Sequence, residues 1–287
     1  MYEQFDYRCP ASQSELLALL GQGGQGTLLY GGGTDLLVVL RARKVSAEHL
    51  IDTKGVPEFR SVTETETAVS IGCAVTLSQI ESDPLVRRWA PALADGAGKV
   101  GSVQIRNKGT LAGNIQTASP AGDGFNAAYG LDGSVVLLSA AGVRRLPLDQ
   151  FVQGPRKTAL GPGELIAAIE IPKRSWTFQR FFKVGRRNAL AISVVNGLVA
   201  LEMEDGAVKD ARISVGAVGP APLRIREAES LLKGRALTPE LAERVSDLVQ
   251  NSVHPISDLR ASAEYRAYMA GVMVKRQLKA YMEESGT

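Results

Sequence analysis

Three consecutive glycines at residues 31–33 constrain the fold of this chain more than any other stretch of its sequence. They separate two apolar runs in TLLYGGGTDLLVVL and are followed by Thr34 and Asp35. Because glycine has no Cβ atom, successive peptides can adopt positive φ and point several N–H groups into one concavity that suits anionic oxygens. Thr34 adds a hydroxyl, and Asp35 is expected to fix the loop amides or to meet a sugar hydroxyl. The run predicts an anion-binding loop, with a tight turn between two strands as the alternative.

A second segment, IRNKGTLAGNIQTASPAGD at 105–123, combines small and hydrogen-bonding residues in a similar way. Its centre, Thr110-Leu111-Ala112-Gly113-Asn114, brings a hydroxyl, a glycine and an amide within five positions, and Thr117 and Asp123 follow. Two such segments suit a ligand that has two phosphates and a ribose or ribityl chain. A capped turn before a helix at 124–132 is the alternative interpretation of this segment.

The run GQGGQG at 21–26 also fits the pattern G-x-G-x-x-G, but its surroundings argue against a dinucleotide site. That site requires a strand before the glycines and a helix after them. Here the pattern predicts a helix at 11–20 before the run and the strand TLLY after it. The run is therefore interpreted as a helix-to-strand turn with a glycine cap.

The side chains available for chemistry are few. The chain has two cysteines, Cys9 and Cys73, and two histidines, His49 and His254. Two cysteines cannot supply the four thiolates of an iron–sulfur cluster, and neither histidine has a companion at metal-ligand spacing. We expect two unpaired buried thiols, no metal site and no catalytic side chain. Any catalysis therefore requires a bound organic cofactor.

Charge and hydropathy argue against nucleic-acid and membrane partners. The net charge is +3, the two signs are interspersed, and no run of five basic residues occurs. Such a distribution does not favour a nucleic-acid surface. The apolar run LLVVL breaks into RARK, well short of the roughly 20 residues that a membrane span needs. The first residues lack a basic start and an apolar core, so we expect a cytoplasmic protein.

The pattern predicts an α+β protein in which the lengths and order of strands and helices change after Pro172. Strands are expected at TLLY, 48–52, 68–73, 134–140 and 164–172, and helices at 11–20 and 124–132, with two more between 75 and 100 that break near Asp83-Pro84. Beyond Pro172 the predicted order is three longer strands within 178–218, with a hairpin turn at Asp205-Gly206, and then helices at 222–233, 238–252 and 261–283. On the last helix we expect an apolar core stripe of Tyr265, Met269, Val272 and Met273.

Four segments carry a resemblance to a known family: the two glycine segments, GPRKTALGPGELIAAIEIP and RASAEYRAYMAGVMVKR. In these segments the chain resembles the FAD-binding medium subunits of the molybdenum hydroxylases, the family of xanthine, carbon monoxide and nicotinate dehydrogenases. The resemblance runs almost end to end. It implies an FAD-binding domain of the PCMH type at 1–173, with subdomains of about 1–55 and 56–173. It also implies a C-terminal α+β domain, a sheet with three helices, at 174–287.

The resemblance also implies which residues contact FAD. The two glycine segments would embrace its diphosphate, and single residues farther along the chain would reach the rest of the cofactor. The implied contacts are Leu29, Tyr30, Gly31, Gly32, Gly33, Thr34, Asp35, Leu36, Thr110, Leu111, Ala112, Gly113, Asn114, Thr117, Asp123, Lys157, Ile166 and Lys183. Of these, Lys157 and Lys183, together with Gln116, are candidates for tuning the flavin. We also expect Gly32→Val to abolish FAD retention, because its side chain would fill the space of the phosphates.

In this family the implied role is electron transfer within a complex. Electrons would arrive from [2Fe-2S] clusters on a small subunit, after substrate oxidation at a molybdopterin cofactor on a large subunit, and would leave to NAD⁺ or another acceptor. Two departures are Ala112, where many relatives have glycine, and Ala191, where many have aspartate. A stand-alone flavin-dependent oxidase and a flavin-less assembly subunit are the alternatives.

Overall fold

The computed structural model describes residues 5–24 and 26–286. Residue 25 of the GQGGQG run and the ends of the predicted domains, 1–4 and 287, lie outside the described residues. The strands of the described part are β1 Asp6–Arg8, β2 Thr27–Tyr30, β3 His49–Asp52, β4 Val62–Glu64, β5 Ala68–Gly72, β6 Ser134–Ser139, β7 Gly142–Pro147, β8 Val152–Gly154, β9 Lys157–Thr158, β10 Leu165–Pro172, β11 Phe178–Val184, β12 Val195–Glu204, β13 Ala207–Gly216 and β14 Leu223–Arg224.

The helices are α1 Gln13–Gln22, α2 Leu36–Arg41, α3 Leu77–Ser82, α4 Pro84–Trp89, α5 Pro91–Gly98, α6 Val103–Arg106, α7 Leu111–Gln116, α8 Asp123–Gly130, α9 Leu148–Phe151, α10 Arg226–Leu232, α11 Pro239–Asn251 and α12 Ala263–Ser285. Two 3₁₀ turns, Thr53–Gly55 and Pro57–Arg60, follow β3. Helices and sheets are both prominent, and the predicted α+β class is confirmed.

A small parallel sheet carries the triple glycine. Its strand order is β1-β3-β2, and the glycines connect β2 directly to helix α2. The alternative of a tight turn between two strands is therefore wrong, because the apolar run after the glycines is helical. The first two residues of the GQGGQG run end helix α1, and strand β2 begins directly after the run, in the order that argued against a dinucleotide site.

A five-stranded antiparallel sheet forms the next layer, in the order β4-β5-β10-β6-β7. Its inner faces and the helices between 77 and 130 bury one continuous apolar core. The segment 77–98 contains three helices rather than the two predicted. Pro84 and Pro91 each begin a helix, because proline lacks the N–H that a helix interior needs and is favoured at a first helical position.

The C-terminal part is a four-stranded antiparallel sheet, β11-β12-β13-β14, packed against α10, α11 and α12 around a second apolar core. The predicted hairpin turn is confirmed, with Asp205 and Gly206 at φ +50° and +77°. The predicted core stripe on α12 is only partly right, because Met269 and Met273 pack, partly buried, against this core, whereas Tyr265 is exposed. The buried residues of α12 are Arg266, Ala270, Gly271, Val274, Leu278 and Met282.

Charged residues join the two parts of the chain around Asp132, which follows α8. Its carboxylate accepts from Arg212 at 2.8 Å and from Arg224 at 2.6 Å, and Arg174 lies 3.6 Å away. Arg212 and Arg174 also contact Asp210, at 2.8 and 3.0 Å. We call these five residues the Asp132 cluster. The domain boundary predicted between residues 173 and 174 stays a prediction. The two parts share apolar packing across it, because β12 contributes Leu198 and Ala200 to the first core.

Candidate functional site

A cavity of about 410 Å³ opens between the triple-glycine loop, helix α7 and strand β10. Its size falls within the range of small-molecule and cofactor sites. Most of its wall is aliphatic or glycine, and its polar groups come from a few segments. The lining residues are Leu29, Gly31, Gly32, Gly33, Thr34, Asp35, Leu36, Val39, Thr53, Cys73, Leu77, Val100, Ile105, Gly109, Thr110, Ala112, Gly113, Asn114, Gln116, Thr117, Arg156, Leu160, Leu165 and Ile166.

The loop from Gly32 to Leu36 presents a row of free main-chain donors to this cavity. Within the described part of the chain, none of these five N–H groups donates to an acceptor, whereas the next one, of Leu37, donates to the carbonyl of Gly33 at 3.1 Å. Consecutive unpaired amides at a concave surface form a nest for anionic oxygens. The loop therefore supplies the donors that a phosphate group needs.

The carbonyl groups of Tyr30 and Gly31, which come just before this loop, are held by residues that follow β3. Lys54 Nζ donates to the Gly31 carbonyl at 2.8 Å, and the Thr53 hydroxyl donates to the Tyr30 carbonyl at 3.4 Å. Asp52 is buried, pairs with Lys54 at 2.9 Å and accepts from the Tyr7 hydroxyl. This hydrogen bond raises the pKa of Tyr7, so the phenol stays protonated. The loop is thus fixed before any ligand binds.

The two glycine segments meet main chain to main chain. A Cβ atom on Gly32 would lie 2.0 Å from the Lys108 carbonyl oxygen and 2.7 Å from Gly109 Cα. The expected reason for Gly32, space for phosphates, is therefore wrong, because its missing side chain makes room for the neighbouring loop. Only Gly33 of the three glycines has a positive φ, at +69°. The nest needs one left-handed residue rather than several.

The second segment is the capped start of helix α7. The Thr110 hydroxyl accepts from the Gly113 N–H at 3.1 Å, and Asn114 Oδ1 accepts from the Phe125 N–H at 2.8 Å. These two polar groups hold α7 and α8 in place, and the segment also lines the cavity. The helix that is capped is α7 and not the one predicted at 124–132, because the N-cap residue of α8 is Gly122, which has no side chain. The Ala112 N–H has no acceptor among the described residues, and Ala112 lines the same cavity as the 32–36 loop.

Two charged side chains, Asp35 and Arg156, belong to the cavity wall described above. They lie 3.6 Å apart and come from different segments. Arg156 sits between β8 and β9 with φ +58°, a conformation uncommon for residues other than glycine. Its N–H donates at 3.2 Å to the carbonyl of Ala118, which also has a positive φ, +47°. This turn holds a guanidinium beside the nest.

Most of the predicted cofactor residues line the cavity. Those that do are Leu29, Gly31, Gly32, Gly33, Thr34, Asp35, Leu36, Thr110, Ala112, Gly113, Asn114, Thr117 and Ile166. The tuning candidate Gln116 lines it as well, and Thr158 donates to its side-chain oxygen at 3.3 Å. The two segments that the sequence singled out do share one cavity.

Five predicted residues lie outside the lining. Leu111 is buried in the core, Tyr30 packs against Gly33, and Lys157 is exposed on β9. Asp123 and Lys183 pair with each other at 2.6 Å.

The Asp123–Lys183 pair belongs to a polar cluster that ties α8 to the C-terminal sheet. Asp123 is 5 % exposed and also accepts from Ser193 at 2.6 Å and from Asn196 at 2.7 Å. Lys183 Nζ donates in addition to the Lys99 carbonyl at 2.8 Å. Both charges are therefore matched within the protein.

Sequence reasoning missed Arg156 and several distant aliphatic residues of the wall. Gly154-Pro155 before Arg156 predicts a turn, and that signal could have drawn attention to it. The remaining missed residues carry no local signal, because their place depends on strand and helix packing. They are Val39, Thr53, Cys73, Leu77, Val100, Ile105, Gly109, Leu160 and Leu165.

Both cysteines are free, as expected, but only Cys73 is buried, whereas Cys9 is exposed. Burial raises the pKa of the Cys73 thiol to about 12, so it lines the cavity in its unreactive protonated form. Within residues 5–24 and 26–286 there is no group of three or more histidine, cysteine, aspartate or glutamate side chains that could hold a metal ion. None of the described helices has the length and apolar composition of a membrane span.

Comparison with known proteins gives two family matches in order along the chain. Residues 3–174 match the FAD binding domain in molybdopterin dehydrogenase, and residues 180–281 match the CO dehydrogenase flavoprotein C-terminal domain. The chain belongs to the FAD-binding medium subunits of the molybdenum hydroxylases. The resemblance drawn from the sequence is thereby confirmed, as is FAD as the cofactor of this chain.

Individual members of the family match over nearly their whole length. The carbon monoxide dehydrogenase medium chain of Hydrogenophaga pseudoflava is 32 % identical, over 96 % of each chain. The nicotinate dehydrogenase FAD-subunit of Eubacterium barkeri is 34 % identical, over 92 % of this chain and 91 % of the relative.

Solved structures of the family have the same fold. Carbon monoxide dehydrogenase from Hydrogenophaga pseudoflava superposes with a TM-score of 0.90 at 33 % identity, over 98 % of each chain. Quinoline 2-oxidoreductase from Pseudomonas putida 86 gives a TM-score of 0.92 at 27 % identity, over 98 % of this chain and 97 % of the other.

The cavity fits FAD on physical grounds. FAD carries a diphosphate, and the free amides of the 32–36 loop with the guanidinium of Arg156 are donors for it. FAD also carries a flat isoalloxazine ring whose faces can pack against apolar side chains, and much of the remaining wall is aliphatic, including Leu77, Val100 and Ile166.

Proposed function

We propose that the chain is the electron-transfer subunit of a multi-subunit molybdenum hydroxylase. The observation that carries this proposal is the row of free amides from Gly32 to Leu36, which faces the same cavity as the second glycine segment. Membership of an FAD-binding dehydrogenase family supports it. In this proposal FAD receives electrons from [2Fe-2S] clusters of a small subunit, and the substrate is oxidised at a molybdopterin cofactor on a large subunit.

When bound, FAD supplies a group that collects electrons singly and releases them in pairs. The residues of this chain hold and surround it. The 32–36 amides and the Ala112 N–H bind the diphosphate, and Arg156 balances its charge. Thr34 and Thr117 offer hydroxyls, and the aliphatic wall excludes water from the ring. In this proposal the remaining predicted contacts, among them Lys157 and Lys183, do not touch FAD and influence its binding only by positioning the segments next to the cavity.

We further propose NAD⁺ as the electron acceptor.

A stand-alone flavin oxidase is less well supported, because it needs a base near the flavin, commonly tyrosine or histidine, and the described cavity wall contains neither. The flavin-less assembly subunit is disfavoured by the free amides, since nothing else in the described part of the chain uses them.

The first test is the visible spectrum of the purified full chain. We expect flavin absorption, or its appearance after incubation with FAD, at one FAD per chain. A colourless protein that takes up no added FAD would end the proposal.

The partners and the acceptor are tested separately. Native purification should bring down a chain containing iron and sulfide and a chain containing molybdenum. The complex, reduced by dithionite and freed of it, should be reoxidised faster by NAD⁺ than by a quinone or by oxygen in stopped-flow measurements. Fastest reoxidation by a quinone or oxygen would refute NAD⁺ alone.

A further inference from the structure

The peptide group between Gly31 and Gly32 has a cation at one end and a free donor at the other. Its carbonyl oxygen, which belongs to Gly31, accepts from Lys54 Nζ at 2.8 Å. Its N–H, which belongs to Gly32, donates to no acceptor among the described residues and begins the row of free amides. Both glycines line the cavity, whereas Lys54 is not part of the cavity wall. Lys54 can therefore act on a ligand in the cavity through this peptide, without touching the ligand.

A hydrogen bond from an ammonium group polarises the peptide that accepts it. Electron density moves towards the carbonyl oxygen, and the N–H of the same peptide becomes a stronger donor, as in a chain of cooperative hydrogen bonds. Hydrogen bonds with one ionised partner are about twice as strong as neutral ones, so the polarisation is correspondingly large. An anionic oxygen gains most from such a donor, and the diphosphate of FAD supplies anionic oxygens.

Lys54 is held at this carbonyl by a buried carboxylate. Its Nζ lies 2.9 Å from Asp52 Oδ2, and the other carboxylate oxygen accepts from the Lys54 main-chain N–H at 2.8 Å. The Asp52 side chain is only 3 % exposed, and it also accepts from the Tyr7 hydroxyl. The ammonium group is therefore in place before a ligand binds, so binding need not order the Lys54 side chain.

The Lys54 ammonium group also contacts the aromatic ring that lies under the nest. It is 4.3 Å from the centre of the Tyr30 ring. A Cβ atom on Gly33, the left-handed residue of the nest, would lie 2.6 Å from that ring. Lys54 thus has two routes to the nest, an electronic one through the polarised peptide and a mechanical one through Tyr30. The electronic route is favoured, because its hydrogen bond is direct, whereas the Tyr30 ring is also held by Tyr7, whose ring centre is 6.1 Å away.

We propose that Lys54 is a positioning residue for FAD, and that its ammonium group strengthens the Gly32 N–H as a donor to the diphosphate. The inference rests on the proposed function in one respect, the binding of the diphosphate by the 32–36 amides. It is independent of the partner chains and of the electron acceptor.

The first test measures the affinities of the FAD-free full chain for FAD and for riboflavin by fluorescence titration. Lys54→Met should bind FAD about tenfold more weakly, and should bind riboflavin, which has no phosphate, as well as the wild type does. Lys54→Arg keeps the charge and should bind FAD nearly as well as the wild type does. Lys209→Met is the matched control and should change neither affinity, since Lys209 is 48 % exposed against 38 % for Lys54 and pairs with two glutamates of the C-terminal sheet.

A double variant separates the loss of the lysine charge from the carboxylate that this loss leaves behind. In Lys54→Met, an uncompensated Asp52 carboxylate would by itself repel the diphosphate. Asp52→Asn/Lys54→Met removes both charges and should still bind FAD about tenfold more weakly than the wild type. It also serves if Lys54→Met alone does not fold, because it leaves no unpaired charge in the interior. Recovery of wild-type FAD affinity in the double variant would overturn the inference.

NMR observes the peptide itself. Glycine follows glycine only at residues 24, 32 and 33. When the chain is labelled with glycine that carries ¹⁵N and a ¹³C carbonyl, a correlation of each amide with the preceding carbonyl therefore contains signals from these residues alone. Gly31→Ala identifies the Gly32 signal by its loss, since a Cβ atom there meets only Thr110, at 3.4 Å or more. In FAD-free Lys54→Met the Gly32 signal should move upfield in its carbonyl and amide-proton dimensions, and the Gly33 signal should move less.

Other results would also overturn the inference. Equal losses of FAD and riboflavin affinity in Lys54→Met, or a Gly33 signal that moves as far as the Gly32 signal, would show that Lys54 acts only on the shape of the loop. Wild-type FAD affinity in Lys54→Met, or a loss in Lys54→Arg as severe as in Lys54→Met, would show that the charge has no role. The proposed function fails differently: FAD would then bind the wild type without moving the Gly32 and Gly33 signals, and the diphosphate would lie elsewhere.

Discussion

Gly32 and Gly113 both line the cavity, yet a side chain would meet different surroundings at each. A Cβ atom on Gly32 would lie 2.0 Å from the Lys108 carbonyl oxygen, whereas a Cβ atom on Gly113 would have only the Thr110 hydroxyl within 4 Å, at 3.2 Å. Gly32 therefore permits two main-chain segments to pack together. Gly113 leaves space in the cavity wall that a ligand can use.

Alanine at the two positions should separate these roles. Gly32→Ala should lower the free energy of unfolding of the FAD-free chain by at least about 2 kcal/mol, because the main chain must move to relieve the overlap. Gly113→Ala should leave that free energy unchanged or slightly higher, since alanine is the better helix former, and should weaken FAD binding about tenfold. Urea unfolding and FAD titration measure the two effects. Equal losses of stability would show that both glycines are only structural.

The pair of Asp35 and Arg156 makes a prediction about charge. Arg156→Gln keeps an unbranched polar side chain at the strained φ but removes the positive charge beside the nest. FAD affinity should fall about tenfold, the size expected for a charge-assisted hydrogen bond, while affinity for riboflavin, which has no phosphate, should not change. Asp35→Asn should strengthen FAD binding, because it removes a carboxylate from the cavity wall.

Arg145→Gln is the control for this experiment. Arg145 is comparably exposed, at 61 % against 65 % for Arg156, and pairs with Glu170 away from the cavity. Fluorescence titrations at several salt concentrations should give a weaker salt dependence for Arg156→Gln alone. If riboflavin and FAD affinities fall together, Arg156 shapes the turn rather than balancing the diphosphate.

At the scale of elements, the Asp132 cluster connects α8 with β13 and β14. Burial raises the pKa of Asp132, but hydrogen bonds from Arg212 and Arg224 and their charges outweigh burial, so its pKa is lowered overall. A lowered pKa means that the ionised form stabilises the fold. This contribution is present above about pH 4, the ordinary pKa range of aspartate, and is lost as the pH falls through the lowered value.

Asp132→Asn should lower the free energy of unfolding at pH 7 by about 2 kcal/mol, since three guanidinium groups lose their shared carboxylate. Asparagine tolerates the φ of +59° at this position, so the backbone is not the cause. Urea unfolding from pH 7 down to pH 3 measures the effect. The difference between variant and wild type should shrink below pH 4, and a difference that is constant with pH would contradict the electrostatic account.

Local signals predicted elements well where they were strong and close together. The hairpin at Asp205-Gly206 and helix α8 follow from turn residues and periodicity. The helical run after the triple glycine was missed because LLVVL is short and its valines favour a strand. The break at Pro91 was missed because an apolar period continued across it, although proline begins a new helix there.

The candidate site was partly predictable for a related reason. A short segment rich in glycine and threonine is recognisable as a possible anion-binding loop without knowledge of distant contacts. The 31–36 and 110–114 segments could therefore be singled out from the sequence. Arg156 and the aliphatic wall are brought to the cavity by the packing of β8 to β10, which no local pattern encodes. Asp123 and Lys183 were implied FAD contacts, but they lie outside the cavity wall and pair with each other. A polar residue near a binding motif can therefore serve to join parts of the protein.

At the scale of the whole molecule, every residue that lines the cavity lies between Leu29 and Ile166, before the C-terminal sheet begins. FAD binding therefore acts directly on only one part of the chain. The C-terminal part is linked to it by apolar packing, to which β12 contributes Leu198 and Ala200. It is also linked through the Asp132 cluster and through Asp123, whose carboxylate contacts Lys183, Ser193 and Asn196. We expect these polar contacts to transmit the effect of the cofactor to the C-terminal part.

Calorimetry with and without FAD tests this coupling. At a free FAD concentration of 100 times the Kd, binding adds about 2.7 kcal/mol and should raise the Tm of the wild type by roughly 4–5 °C in one transition. In Asp132→Asn we expect two transitions, with FAD raising only the one that belongs to the cavity-bearing part. Riboflavin at the same concentration should give a smaller shift, because it lacks the diphosphate that the 32–36 amides bind. Two transitions in the wild type, only one of which responds to FAD, would show that the polar contacts between the parts do not transmit the effect of the cofactor.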